Sequence, residues 1–163
     1  HAAHERILYV QFMADHARQQ PIAQYTLSAQ TIELPAAEAQ LLEAHLDTLK
    51  SVGFQLEAFG PNAFIIRSVP ALLADVDPVE SVNSILADLE RGDTPGRTSI
   101  EEKSVQRVCK QAAAKAGTIL SLEEMQGLIQ QLERTESPHT CPHGRPTMLH
   151  MTSDQLARQF GRE

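Results

Sequence analysis

The chain has 163 residues, 42% of them apolar, and a formal net charge of −7, enough material for one compact domain or two small ones without disulfide or metal staples. It contains no run of eighteen apolar residues to span a bilayer and no basic stretch leading into an apolar one, so membrane insertion is not expected and the cytoplasm is the expected compartment. The charge is uneven: residues 21–96 hold eleven acids against three bases and residues 97–163 eight acids against nine bases, which excludes a broad electrostatic footprint for nucleic acid.

The opening stretch HAAHERILYV, residues 1–10, starts inside a helical pattern with neither methionine nor capping residue ahead of it, as expected of a piece of a longer polypeptide. The spacing predicts a helix over 4–19 with Ile7, Leu8 and Phe12 inward and Pro21 ending it. A strand over 27–34 follows, then a helix over 36–51 whose apolar stripe is Leu42, Leu46 and Leu49 and whose end is marked by Gly53. FQLEAF (54–59) and AFIIRSV (63–69) alternate with period two around Gly60-Pro61-Asn62 and predict a hairpin. Asp77-Pro78 with Glu80 begins another helix, with Val82, Ile85, Leu86 and Leu89 inward. Residues 26–91 thus spell a β-α-β-β-α unit.

RGDTPGRTS, residues 91–99, has the composition of a linker. Beyond it, Ser99 with Glu102 and Ser121 with Glu124 read as capping boxes opening helices over 100–116 and 122–134, with Gly117 closing the first. A loop over 135–146, a short strand over 147–151 and a helix over 153–160 complete the chain. The expected fold is α/β in two subdomains: a mostly helical one from residues 1–20 and 97–163, and the β-α-β-β-α unit of residues 21–96 inserted into it.

His1 and Glu5 stand four residues apart and share a helix face one turn apart. Cys141-Pro142-His143 offers a thiolate and an imidazole on a proline-stiffened turn, donors of the kind zinc prefers. Cys109, in VCKQAAAKAG, is the second of only two cysteines, which argues against a disulfide framework. His1, Glu5, Cys109, Cys141 and His143 would suffice for one tetrahedral zinc or two ions sharing a ligand. The blander readings are a solvated helix face, on which His4 is as available as His1, a buried cysteine and an incidental loop histidine. His16, His45 and His150 read as structural, no GxGxxG or Walker pattern occurs, and Lys110 with Lys115 reads as a helix-end contact rather than a DNA patch.

HAAHERILY, VCKQAAAKAG and TCPHGRP with a terminal RQFGR, in this order and spacing, resemble the C-terminal dimerisation and endonuclease domain of the bacterial MutL DNA mismatch repair proteins. FQLEAFGPNAFIIRSVPALL resembles the hairpin of that family's inserted regulatory subdomain, and the resemblance covers essentially the whole chain. The family's endonuclease motif runs Asp-Gln-His-Ala, two residues, Glu, four residues, Glu. It survives as His1-Ala2, Ala3-His4 and Glu5; its Asp and Gln would precede His1, and Val10 replaces the second Glu. The resemblance implies that His1, Glu5, Cys109, Cys141 and His143 line a site for zinc or manganese, with Glu5 in the catalytic motif. It also implies a homodimer, a mismatch-recognition partner, MutS, acting through the full-length protein, and a replication sliding clamp docked by a Gln-x-x-Leu/Ile-x-Pro peptide. QYTLSA, residues 24–29, supplies Gln24 and Leu27 and lacks the Pro.

Two readings follow. In the first, the chain is a dimerisation domain with a latent metal-dependent DNA-nicking site that by itself binds DNA weakly. In the second, it is a non-enzymatic dimerisation and partner-docking module with a structural zinc or no metal.

Overall fold

The computed structural model describes residues 1–18, 23–91, 99–115 and 117–161. Helix α1 (Ala2–Ala17) leads to strand β1 (Ala23–Glu33), helices α2 (Ala36–Ala44) and α3 (Leu46–Ser51), strands β2 (Gln55–Ala58) and β3 (Ala63–Pro70), a single 3-10 turn (Ala71–Leu73) and α4 (Pro78–Glu90). Helices α5 (Ile100–Ala112), α6 (Leu122–Glu133) and α7 (Ser153–Gln159) follow. The α/β class and the β-α-β-β-α order are as expected. The proposed linker residues 92–98 and the helix stop at Pro21 lie outside the described residues, and so do both boundaries of the expected insertion.

The sheet is antiparallel with order β1-β3-β2. Central β3 turns Phe64, Ile66 and Ser68 inward at every second position, the period that puts alternate side chains on one face. Helices α2, α3 and α4 cover that face, and Leu42, Leu49, Val52, Phe54, Ile66, Val82 and Leu86 form a core from which solvent is excluded. Asp77 starts α4 by accepting from the Glu80 amide at 2.8 Å, with Pro78 in the first turn. The same core continues through Val105, Val108 and Cys109 of α5 to Leu8 and Phe12 of α1. On the other side of α1, Ala3 and Ile7 pack against Leu132 of α6. The succession from sheet through α5 and α1 to α6 sets the position of the site, because α1 is held on two sides.

Four expectations need correction. The helix over 36–51 is two helices meeting at His45, whose amide bonds back to Leu42 in a tighter turn (3.0 Å), so that both Leu42 and Leu49 reach the core. β1 begins at Ala23 rather than Leu27 and is bulged between Tyr25 and Gln30, where Thr26 Oγ1 bonds the Ile66 and Arg67 carbonyls at 3.3 Å. α5 ends at Ala112, not 116: the Ala114 amide donates to His4 Nδ1 at 3.0 Å, and this contact with α1 draws the chain off the helix before Gly117 is reached. Residues 147–151 form no strand, because none of the described strands lies beside them to complete a ladder; the nearest pairing is one bridge, Thr140 to Pro146. No helix among the described residues is long and apolar enough to cross a membrane.

Candidate metal centre

On the inward face of α1 one charge is buried: Glu5, 3% exposed among Ala3, Ile7 and Leu8. Taking a carboxylate out of water costs several kcal/mol unless a partner meets it. The partners come from the loop after α6. There the Cys141 amide donates to the Arg145 carbonyl at 2.8 Å and the Gly144 amide to the Cys141 carbonyl at 2.9 Å, closing a tight turn. Gly144 adopts φ +79°, the left-handed region open to glycine at little cost. The base of the turn is tied twice by Thr147, whose amide bonds the His139 carbonyl at 3.0 Å and whose hydroxyl bonds the Pro138 carbonyl. Arg6, next to Glu5 on α1, donates from Nε to the Thr140 carbonyl at 2.5 Å and so docks the turn against the helix.

This docking brings Glu5, Cys141 and His143 together, with one donor atom from each lying within 4.8 Å of the others. His143 Nδ1 is 3.1 Å from Glu5 Oε2, and the Cys141 side chain is almost fully buried. Arg145 Nη2 donates to both carboxylate oxygens, at 2.6 and 2.7 Å. Burial pushes the Glu5 carboxyl up, but Arg145 and then His143 outweigh it and hold the group below its ordinary value. The carboxylate is therefore ionised and already faced by positive charge.

Carboxylate, thiolate and imidazole form a donor set suited to zinc, whose ligands in a tetrahedral shell lie about 3.3–3.7 Å apart. The three donor atoms lie within 4.8 Å of one another, with His143 Nδ1 and Glu5 Oε2 3.1 Å apart, so seating an ion among them requires the side chains to adjust their spacing. Arg145 must then leave at least one oxygen, and its half-exposed side chain leaves it room to do so.

Two residues of the expected set lie apart from this cluster. His1 precedes the first turn of α1 and is largely exposed. Cys109 is fully buried in α5, where burial, with Glu5 adding to it, pushes its thiol up to about 12. His4 is used otherwise, as the acceptor that ends α5, and burial lowers its pKa. Gln24 and Leu27 sit on β1, Leu27 fully exposed on the bulge. Arg145 was not anticipated as a site residue. Its signal was present, because an acid on an inward helix face calls for a cation and the loop motif carries one two residues after His143.

The family model for the MutL C terminal dimerisation domain matches residues 1–120. The chain belongs to this MutL family. Over 165 residues it is 36% identical to the DNA mismatch repair protein MutL of Halothermothrix orenii, covering 100% of this chain and 26% of that protein. It is 36% identical to MutL of Phenylobacterium zucineum (99% of this chain, 26% of the relative). With MutL of Methanocorpusculum labreanum it shares 35% identity (98% and 27%). The chain thus spans about a quarter of the length of the MutL relatives it matches.

Proposed function

We propose that the chain is the C-terminal module of a mismatch repair protein, which pairs with a second copy and holds a divalent metal at Glu5, Cys141 and His143 for nicking DNA. The observation that carries this reading is the convergence of those three side chains, from α1 and from a loop more than a hundred residues away, in a chain of the MutL family. A zinc or manganese ion bound there would supply Lewis acidity and a focus of positive charge for a phosphodiester. The chain's own residues bind and orient. Glu5 is a positioned anionic ligand, because it is 3% exposed and its carboxylate is held by Arg145 and His143. Cys141 and His143 are presented by a turn that Arg6, Gly144 and Thr147 hold rigid, and Arg145, released from Glu5, is free to meet a phosphate oxygen.

The test is manganese-dependent nicking of supercoiled plasmid by the full-length protein. Glu5→Gln is expected to lower the rate by at least about a hundredfold while Tyr25→Ala, an exposed site on β1, leaves it unchanged, since losing a charged ligand costs more than about 2.7 kcal/mol of transition-state stabilisation. Nicking that survives Glu5→Gln would favour the second reading, a scaffold with a structural zinc. That reading draws support from the burial of Cys141 and from Val10, which can ligate no cation.

The partners in this proposal are a second copy of the chain, MutS through the full-length protein, and a replication sliding clamp that takes Gln24 and Leu27. Leu27 stands clear of the sheet on its bulge, as a side chain must to enter a partner's pocket. Leu27→Ala is expected to weaken retention on immobilised clamp by about tenfold, the loss of one buried apolar anchor; unchanged retention would remove the bulge from the docking surface.

A further inference from the structure

A groove of about 200 Å³ runs beside His143, lined by Arg91 at the end of α4 and by Lys103, Arg107 and Lys110 of α5, with Asp88 in its wall. Four cations face one carboxylate there, in a chain whose net charge is −7. Lys103, Arg107 and Lys110 recur at i, i+4 and i+7, the spacing that places them on one face of a helix. They extend about 10 Å along the axis at about 1.5 Å per residue, which spans about three nucleotide steps of a duplex strand at about 3.4 Å each.

The cations are not equally engaged. Arg107 is only 19% exposed and donates two hydrogen bonds to Asp88, so that pair fixes α4 to α5 and forms the groove floor. Arg91 meets Asp88 at 3.5 Å with its side chain 67% exposed, and Lys110 is exposed. Among the described residues that line the groove, cations outnumber carboxylates four to one, so the lining carries net positive charge. Walls of low dielectric focus the field of that charge along the groove. Lys110, which the sequence suggested as a helix-end cation paired with Lys115, faces this groove.

We propose that the groove is a track for the phosphodiester backbone of duplex DNA, running along α5 to the Glu5–Cys141–His143 cluster. The proposal rests on the reading of that cluster as a nicking site, and His143 belongs to both. Contacts of this kind position the strand and carry no sequence information. Because the track is short and the rest of the chain is acidic, its binding is weak and salt-labile.

Binding of a fluorescently labelled duplex to the chain, followed by anisotropy from about 25 to about 150 mM salt, tests it. Lys103→Glu with Lys110→Glu is expected to lower affinity at least about tenfold and to flatten the slope of log K against log salt by about two. Lys50→Glu with Arg67→Glu changes the net charge equally on α3 and β3 and is expected to lower affinity less than about threefold. Lys110→Gln, at an exposed position, keeps the test open if the double reversal fails to fold, and should flatten the slope by about one. Cys141→Ser is expected to abolish zinc uptake without lowering duplex affinity, which separates failure of the cluster from failure of the track. The proposal is overturned by equal losses from the two reversal pairs, by no wild-type binding at the lowest salt, or by an acidic peptide that displaces the duplex at equal affinity.

Discussion

Arg145→Ala is expected to destabilise the metal-free chain by about 2–3 kcal/mol and to raise its zinc affinity by about tenfold or more. Glu5 is 3% exposed, and Arg145 supplies its two shortest hydrogen bonds, at 2.6 and 2.7 Å, so removing the guanidinium takes away the charge that faces both carboxylate oxygens. Breaking a buried pair costs about 3–5 kcal/mol because a charge is left without compensation. The figure here is lower because the guanidinium is 54% exposed and water already screens it. The gain in affinity has the same origin: a cation that no longer occupies the carboxylate no longer competes for it. Zinc at about a hundred times its dissociation constant should return about 2.7 kcal/mol, roughly the whole loss. Thermal unfolding with and without zinc reads both effects. A variant as stable as the wild type, or one that zinc does not rescue, would remove Arg145 as the stand-in for the ion.

Ile129→Glu is expected to convert a dimer into a monomer, weakening self-association by a hundredfold or more, about 3 kcal/mol. Helix α6 is apolar on two faces. Leu128 and Leu132 pack toward α1, whereas Leu122, Met125 and Ile129 recur at i, i+3 and i+7 with exposures of 66%, 44% and 56%. A helix apolar on both sides is normally covered on both sides, and exposed Leu149, Leu156 and Phe160 add apolar surface toward the C-terminus. In a chain of a dimerisation-domain family, a second copy is the occupant that such a stripe fits. Light scattering should give a mass of twice 18.0 kDa for the wild type and 18.0 kDa for the variant, with unchanged helical circular dichroism because Ile129 is already half in solvent. A dimer that persists would move the interface away from α6.

Most elements could be read from the sequence because their signals are local. Asp77-Pro78, Ser121 with Glu124, and Gly60-Pro61-Asn62 each act within a few residues, and each does what the local chemistry dictates. The misreadings arose where a distant contact overrides a local preference. The run Ala112-Ala113-Ala114 has high helical propensity, yet α5 stops because His4, 110 residues away, takes the Ala114 amide. The strand expected over residues 147–151 is absent for a related reason, since a strand requires a neighbour to complete its hydrogen bonds.

The candidate site divides in the same way. Spacing nominated Glu5, Cys141 and His143, but it could not tell that the loop docks beside α1 while Cys109 stays in the core. Arg145 was overlooked because its role depends on how deeply Glu5 is buried, which no window of sequence states.

The measurement that bears most directly on the metal centre is X-ray absorption at the zinc edge on the loaded chain and its cysteine variants. One sulfur is expected at about 2.3 Å with nitrogen or oxygen at about 2.0–2.1 Å, the sulfur lost in Cys141→Ser and retained in Cys109→Ser. A sulfur shell that survives Cys141→Ser, or a zinc bound with no sulfur at all, would contradict a metal held by Cys141.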